Sequence, residues 1–424
     1  MTPPPLSRRT VLAGAASVTA AGALTQPAAA APRRAVVYRD VRPLGAGTPV
    51  DLTVVDGRIS AGPAPRGARV VDGGGRIALP APVDAHIHPD KTTWGGPWVS
   101  RRPASTIAEY VEQDVELFRS QDRSVAERAY GLMAHAVTRG TRAMRAHADV
   151  APAYGLAGVE GVAAARDRLA HALDVQIVAF PQHGVVRTPG TADLLTEAAR
   201  SGAVDAIGGI DPSSFDGAMD EQLDLVFGLA DRYGTDLDIH LHDSDAGGVA
   251  VLRAIVDRTR ALSLRGRVTV SHVFCLPFLP DAELAGLAGD LAELDISLTT
   301  VAPSRDLVLP IAKLREHGVT VGLGSDGVRD SWSPFGNADM VHRAHLLGWV
   351  TDVRLDDELR ACYDAAAHGG ADVMGLPRAD LTPGSPADFV LVRGECLPQV
   401  LVDMPPRDYV VHAGEIVARD GRLL

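Results

Sequence analysis

Between residues 80 and 378, short runs rich in β-branched residues alternate with longer segments of helical period, and this alternation restricts the fold most. Eight runs read as strands: Val83–His88, Arg142–Ala148, Val175–Phe180, Ala206–Ile210, Leu237–His242, Val268–Ser271, Ile296–Thr300 and Thr320–Gly324. Amphipathic segments separate them, including Thr106–Arg119, Val125–Thr138, Leu223–Tyr233 and Ala282–Ala292. Thr106 and Glu109 have the spacing of a capping box. Eight strand–helix units in roughly 300 residues predict an α/β fold, a (β/α)8 TIM barrel. An open doubly wound sheet is the rival, but no G-x-G-x-x-G follows the first strand.

The flanks have another texture. AVVYRDVRPL, DLTVVDGRIS and GARVVDGGGRIALP precede the barrel, and ADFVLVRG and RDYVVHAGEIVARDGRLL follow it, with Asp-Gly turns at both ends. The expectation is that residues 32–79 and 379–424 pair into a small β-sandwich domain beside a barrel of residues 80–378.

Residues 1–31 read as a leader rather than as part of the fold. Ser7–Arg8–Arg9–Thr10–Val11–Leu12 sets a twin arginine before an Ala-rich run ending in AAAAP. That order predicts export in the folded state by the twin-arginine machinery, and a secreted or cell-envelope location. No later stretch has the ~18 consecutive apolar residues of a membrane span. A net charge of −12 supplies no basic surface for phosphates, which argues against nucleic acid as a partner. Cys275, Cys362 and Cys396 are widely spaced and form neither a disulfide framework nor a zinc ribbon.

Active sites of such barrels gather at the C-terminal ends of the strands. The first strand ends in His86 and His88, which share a face because residues i and i+2 of a strand point the same way. The third runs into Gln182 and His183, the fifth ends in His240, His242 and Asp243, the sixth meets His272, and the eighth delivers Asp326. The simplest assembly is one divalent metal ion held by neutral His86, His88 and His240 and the Asp326 carboxylate. Such an ion draws the pKa of a bound water from ~15.7 towards ~7. His272 and Asp243 then remain to move protons, as hydrolysis of a carbon–nitrogen bond requires. A bridging second metal would want a lysine at the end of the fourth strand. Ile210–Asp211–Pro212 offers none, and Lys91 follows the first strand.

These residues resemble the amidohydrolase superfamily, most closely its cytosine-deaminase-like branch. The resemblance rests on HIHPDKT (86–92), VAFPQHG (178–184), the Ser271–His272 pair and GLGSDGV with WSPFGN (322–337). It implies one Zn or Fe ion on His86, His88, His240 and Asp326, and proton transfer and transition-state stabilisation by His272. It also implies that Gln182 hydrogen-bonds a ring amide and that Trp332 walls the pocket. Three positions depart from the branch. Asp243 stands where the branch has a proton-shuttling glutamate, with His242 beside it, Gly327 stands where a second acidic residue usually follows Asp326, and His183 replaces a common carboxylate.

The function expected is hydrolysis of a non-peptide carbon–nitrogen bond, foremost deamination of a cyclic amidine or cytosine-like heterocycle. Cyclic or exocyclic amide hydrolysis on the same site is the alternative, and a metal-retaining binding protein is the reading outside catalysis. Ligand type alone does not separate Zn from Fe. The sequence also leaves a homo-oligomer open.

Overall fold

Residues 35–424 are described by the computed structural model, and the leader of residues 1–31 with its twin arginine lies outside them. Four strands come first: β1 (Ala35–Pro43), β2 (Val50–Val55), β3 (Arg58–Ile59) and β4 (Arg69–Pro80). The barrel strands follow: β5 (Val83–His88), β6 (Ala143–Asp149), β7 (Asp174–Phe180), β8 (Ala206–Ile210), β9 (Asp236–Leu241), β10 (Val268–His272), β11 (Ser297–Thr300), β12 (Val321–Leu323) and β13 (Asp326–Gly327). They form one curled parallel sheet in the order β12-β11-β10-β9-β8-β7-β6-β5-β13, which fits a TIM-like barrel. Every residue of β5, β6, β8, β10 and β11 is buried, as strands covered by helices on one face and barrel interior on the other must be.

The eighth strand position is split. The chain breaks between β12 and β13 at Gly324–Ser325, and β13 then pairs with β5, Asp326 opposite Ile87 and Gly327 opposite His88. Gly324 is required at this break because a Cβ there would lie 2.5 Å from the His86 Cβ and 2.6 Å from the His86 carbonyl oxygen. Two helices lead from β5 to β6, α1 (Ile107–Ser120) and α2 (Val125–Thr138). Thr106 caps α1 through a reciprocal bond with Glu109, as the spacing predicted.

Four further strands complete the ends: β14 (Phe389–Val392), β15 (Arg407–His412), β16 (Glu415–Arg419) and β17 (Arg422–Leu423). They join the first four strands in a single eight-stranded sheet, β17-β16-β15-β14-β4-β1-β2-β3. The sequence predicted that the two ends pair into a small β-sandwich domain. The two ends do pair, β14 antiparallel to β4 with Phe389 opposite Pro80, in one hydrogen-bonded sheet. The reason lies in β4. Its Ile77 and Leu79 belong to the main core of the barrel, whereas Ala78 between them packs in a smaller core with Tyr38 and Phe389. One strand thus serves both cores, and the barrel follows it directly.

Among the described residues no helix is long and apolar enough to cross a membrane. Gly324→Ala should cost about 1–3 kcal/mol, the usual penalty for overpacking, and should displace His86. Thermal unfolding of the variant reads this, and an unchanged Tm would show that β5 and β12 separate without strain.

Candidate active site

At the C-terminal mouth of the barrel four donor atoms converge. His88 Nε2 lies 3.3 Å from His86 Nε2 and 3.4 Å from His240 Nε2. Asp326 Oδ1 lies 3.7 Å from His86 Nε2 and 3.5 Å from His88 Nε2. Ligands at roughly 2.0–2.1 Å in a tetrahedron stand about 3.4 Å apart, so this set fits one divalent ion. Burial holds His86, His88 and His240 well below the ordinary histidine range, aided by mutual repulsion. They are therefore neutral, as imidazole ligands must be.

The polar groups behind them fix one tautomer. Ser271 Oγ donates to Asp238 Oδ1 at 2.6 Å and lies 2.9 Å from His86 Nδ1. With its own proton committed to the carboxylate, the hydroxyl accepts from Nδ1–H and leaves the Nε2 lone pair of His86 facing the mouth. Burial alone would raise Asp238, but His147 and Arg145 hold it well below the carboxylate range. His147, fully buried on β6, has its ring centroid 4.0 Å from that of His86, tilted by 33°, and its Nε2 lies 3.4 Å from Asp238 Oδ1.

Above the donors lies a cavity of about 320 Å³ lined by apolar Ile107, Ile210, Phe215 and Trp332 and by polar Lys91, Gln182, Asp211, His242 and Asp330. Trp332 is stacked on Tyr110 of α1 at 5.4 Å. Lys91 donates to both Asp149 oxygens at 3.0 Å and to Gln182 Oε1 at 2.7 Å. Burial would lower Lys91, yet Asp149, Asp114 and Asp90 outweigh it and keep the ammonium charged. Burial pushes Asp149 and Asp90 up, with Lys91 opposing. Asp211 Oδ1 accepts from His242 N at 2.6 Å and its Oδ2 lies 2.8 Å from His242 Nδ1. Burial would lower His242, but Asp211 outweighs it and raises the imidazole.

Two residues expected in the wall lie elsewhere. His183 lies behind it, 2.7 Å from the Tyr154 hydroxyl and 3.8 Å from Asp114 Oδ2. Asp243 does not line the cavity, and its Oδ2 is buried without a partner. His272 sits beneath the wall, grouped with His86 and His240 and stacked 4.3 Å from His242.

Those four donors, on the first, fifth and last barrel strands, agree with a family model that matches residues 69–418, described as the amidohydrolase family. The chain belongs to the amidohydrolase family. It is a metal-dependent amidohydrolase acting on carbon–nitrogen bonds. It is 34% identical over 357 residues to an uncharacterised protein, YahJ, of Escherichia coli (strain K12), spanning 82% of this chain and 76% of that one. It is 30% identical over 356 residues to N-isopropylammelide isopropyl amidohydrolase of Pseudomonas sp. (strain ADP), spanning 82% and 88%. The crystal structure of N-isopropylammelide isopropylaminohydrolase from Burkholderia multivorans ATCC 17616 superposes with a TM-score of 0.87 at 37% identity, covering 92% of this chain and all of that one.

Five residues around the site were given no role from the sequence: Lys91, His147, Asp211, Asp238 and Asp330. Lys91 lies within the HIHPDKT motif, and His147 and Asp149 repeat the i, i+2 pattern of β5 at the end of β6. Lys91→Met strips the cation from a buried carboxylate cluster and should cost about 3–5 kcal/mol at neutral pH. Burial raises the folded-state values of Asp149 and Asp90, so their protonated forms favour the fold. The loss should therefore shrink as pH falls towards the ordinary value of 3.8 and grow as pH rises. Chemical denaturation across pH checks this, and a pH-independent loss would show that packing dominates.

Proposed function

We propose that this amidohydrolase cleaves the exocyclic carbon–nitrogen bond of a cyclic amidine, a six-membered nitrogen heterocycle of the cytosine or ammelide type, releasing ammonia or an alkylamine. The observation that carries the reading is the cavity. Its floor is the convergent donor set, and its walls set flat apolar surfaces against a few fixed polar groups. The ion would be Zn or Fe, held by His86, His88, His240 and Asp326, and it supplies the Lewis acidity that makes water nucleophilic at neutral pH.

The chain's own residues do the rest. Phe215, Ile210 and Trp332 cover the faces of a planar ring and keep bulk water out. Lys91 occupies Gln182 Oε1, so Gln182 turns its N–H groups to the cavity and donates to a ring nitrogen or carbonyl oxygen. Asp211 holds His242 through Nδ1, which leaves His242 Nε2 to take a proton from the attacking water and return it to the leaving nitrogen. His272, stacked on His242 at 4.3 Å beneath the wall, holds that imidazole in place. The assignment moves the proton shuttle from Asp243 to His242, because His242 lines the cavity and Asp243 does not. Relatives named for hydrolysing N-isopropylammelide support the heterocycle. Export by the twin-arginine route is part of the same proposal, and N-terminal sequencing of secreted protein tests it.

Metal-loaded protein should release isopropylamine from N-isopropylammelide or ammonia from cytosine, and product analysis separates this from ring opening. His86→Ala and Asp326→Ala should lose both metal and turnover, and turnover by metal-free variants would sink the reading. His242→Asn should lower kcat by about 10²-fold or more, with Asp243→Asn costing less than that. The reverse order of losses would return the shuttle to Asp243.

A further inference from the structure

The cavity wall contains a carboxyl group with one oxygen bound and one free. Asp330 is fully buried. Its Oδ1 accepts from the backbone N–H groups of Trp332 at 2.9 Å and Ser333 at 2.8 Å, which fixes the plane of the carboxyl. Its Oδ2 is buried without a partner. The nearby cation does not satisfy it, since the three protons of Lys91 Nζ are aimed at the two Asp149 oxygens and at Gln182 Oε1. A buried oxygen left in this state costs stability, and such a group in a cavity wall calls for a function.

Gly327 shows where that oxygen lies. A Cβ built on Gly327 would fall 2.2 Å from Asp330 Oδ2, 2.9 Å from its Cγ and 3.0 Å from its Oδ1. The carboxyl therefore occupies the space into which a side chain at 327 would project, directly after the ligand Asp326. Gly327 lines the same cavity. In sequence, Gly327 stands where a second acidic residue usually follows Asp326 in the branch that the chain resembles. The structure shows an acidic group in that volume, delivered from three residues downstream. The indole Nε1 of Trp332, also in the wall, is a buried donor without a partner.

We infer that Asp330 reads the substrate: its Oδ2 accepts a hydrogen bond from a ring N–H, selecting heterocycles with a cyclic amide or ureide N–H. This rests on the heterocycle-hydrolase reading above and adds the group that distinguishes one ring from another. Only a single contact is available, because Oδ1 is already saturated by two backbone donors. An adjacent ring carbonyl would meet the Trp332 indole N–H, so that an N–H–C=O edge matches the wall. Gly327 is the permissive element, since any side chain there displaces the carboxyl.

The test uses the metal-loaded full chain and two inert probes, cyanuric acid and its N,N′,N″-trimethyl derivative, with binding measured by isothermal titration. The wild-type protein should prefer cyanuric acid. Asp330→Asn retains an oxygen for the two backbone donors and should bind cyanuric acid about ten-fold more weakly, the effect of one buried hydrogen bond. Its affinity for the trimethyl probe should be unchanged. Gly327→Ala should give the same selective loss without altering residue 330. Metal content and Tm, measured on each variant, show that the comparison is made on folded, loaded protein. Equal losses for both probes, or no loss in either variant, would overturn the role of Asp330 alone. Failure of the wild-type protein to bind cyanuric acid, together with no amine release from N-isopropylammelide or cytosine, would overturn the heterocycle reading and this inference with it.

Discussion

The pairing of β13 with β5 is the contact on which the site depends. It closes the parallel sheet and puts Asp326 level with Ile87, between the two histidines of β5. Three of the four metal donors are thereby set by the register of one short strand pair. Asp84 ties the closure from within: its Oδ1 accepts from His86 N at 3.3 Å and from Ser325 N at 2.9 Å, one donor from each side of the seam. Burial pushes that carboxyl up to about 6. Gly324 makes the seam geometrically possible, because the chain passes over the His86 backbone where no Cβ fits.

The mouth is also where the backbone leaves its ordinary conformations. Asp211, His272 and Asp326, each at or beside a strand end, have φ of 32°, 71° and 62°. Left-handed backbone at a non-glycine residue costs of order 1–3 kcal/mol. Regular extended backbone would send successive side chains to alternate faces and could not place two neighbours over the mouth. The turn into left-handed geometry redirects the side chain, and the buried strands below hold it there. Left-handed backbone and buried polar groups thus coincide at the mouth of the barrel.

What could be read from the sequence follows from that placement. The βα alternation and the convergence of His86, His88, His240 and Asp326 were legible because these residues sit at ends of strands, where period and position agree. The split of the last strand into β12 and β13 was not, because it is caused by the approach of His86 across the seam rather than by any local signal. Asp238 lies inside β9 below the mouth, fully buried, where its position in the strand does not mark it as part of the site. Lys91, Asp211 and Asp330 lie on the connecting segments, where nothing in the spacing tells which side chain turns inward. For the same reason His183 and Asp243, beside true wall residues in sequence, do not line the cavity.

Charge gives the layout its logic. Three neutral imidazoles and one carboxylate would leave a divalent ion held among them with one net positive charge, and uncompensated buried charge is expensive. Around it stand Asp149, Asp90, Asp114 and Asp330 with Lys91 among them, an excess of acidic groups over cations. Burial pushes Asp330 up to about 7, with Lys91 opposing. A neutral heterocycle between the ion and Asp330 would feel a positive field at the attacked carbon and a negative one at the far ring edge. That polarity draws electrons away from the exocyclic carbon and favours an N–H at the opposite side. On the proposed function the ring would be oriented by the same field that activates it, which would tie selectivity to the position of one carboxyl rather than to the shape of the apolar walls.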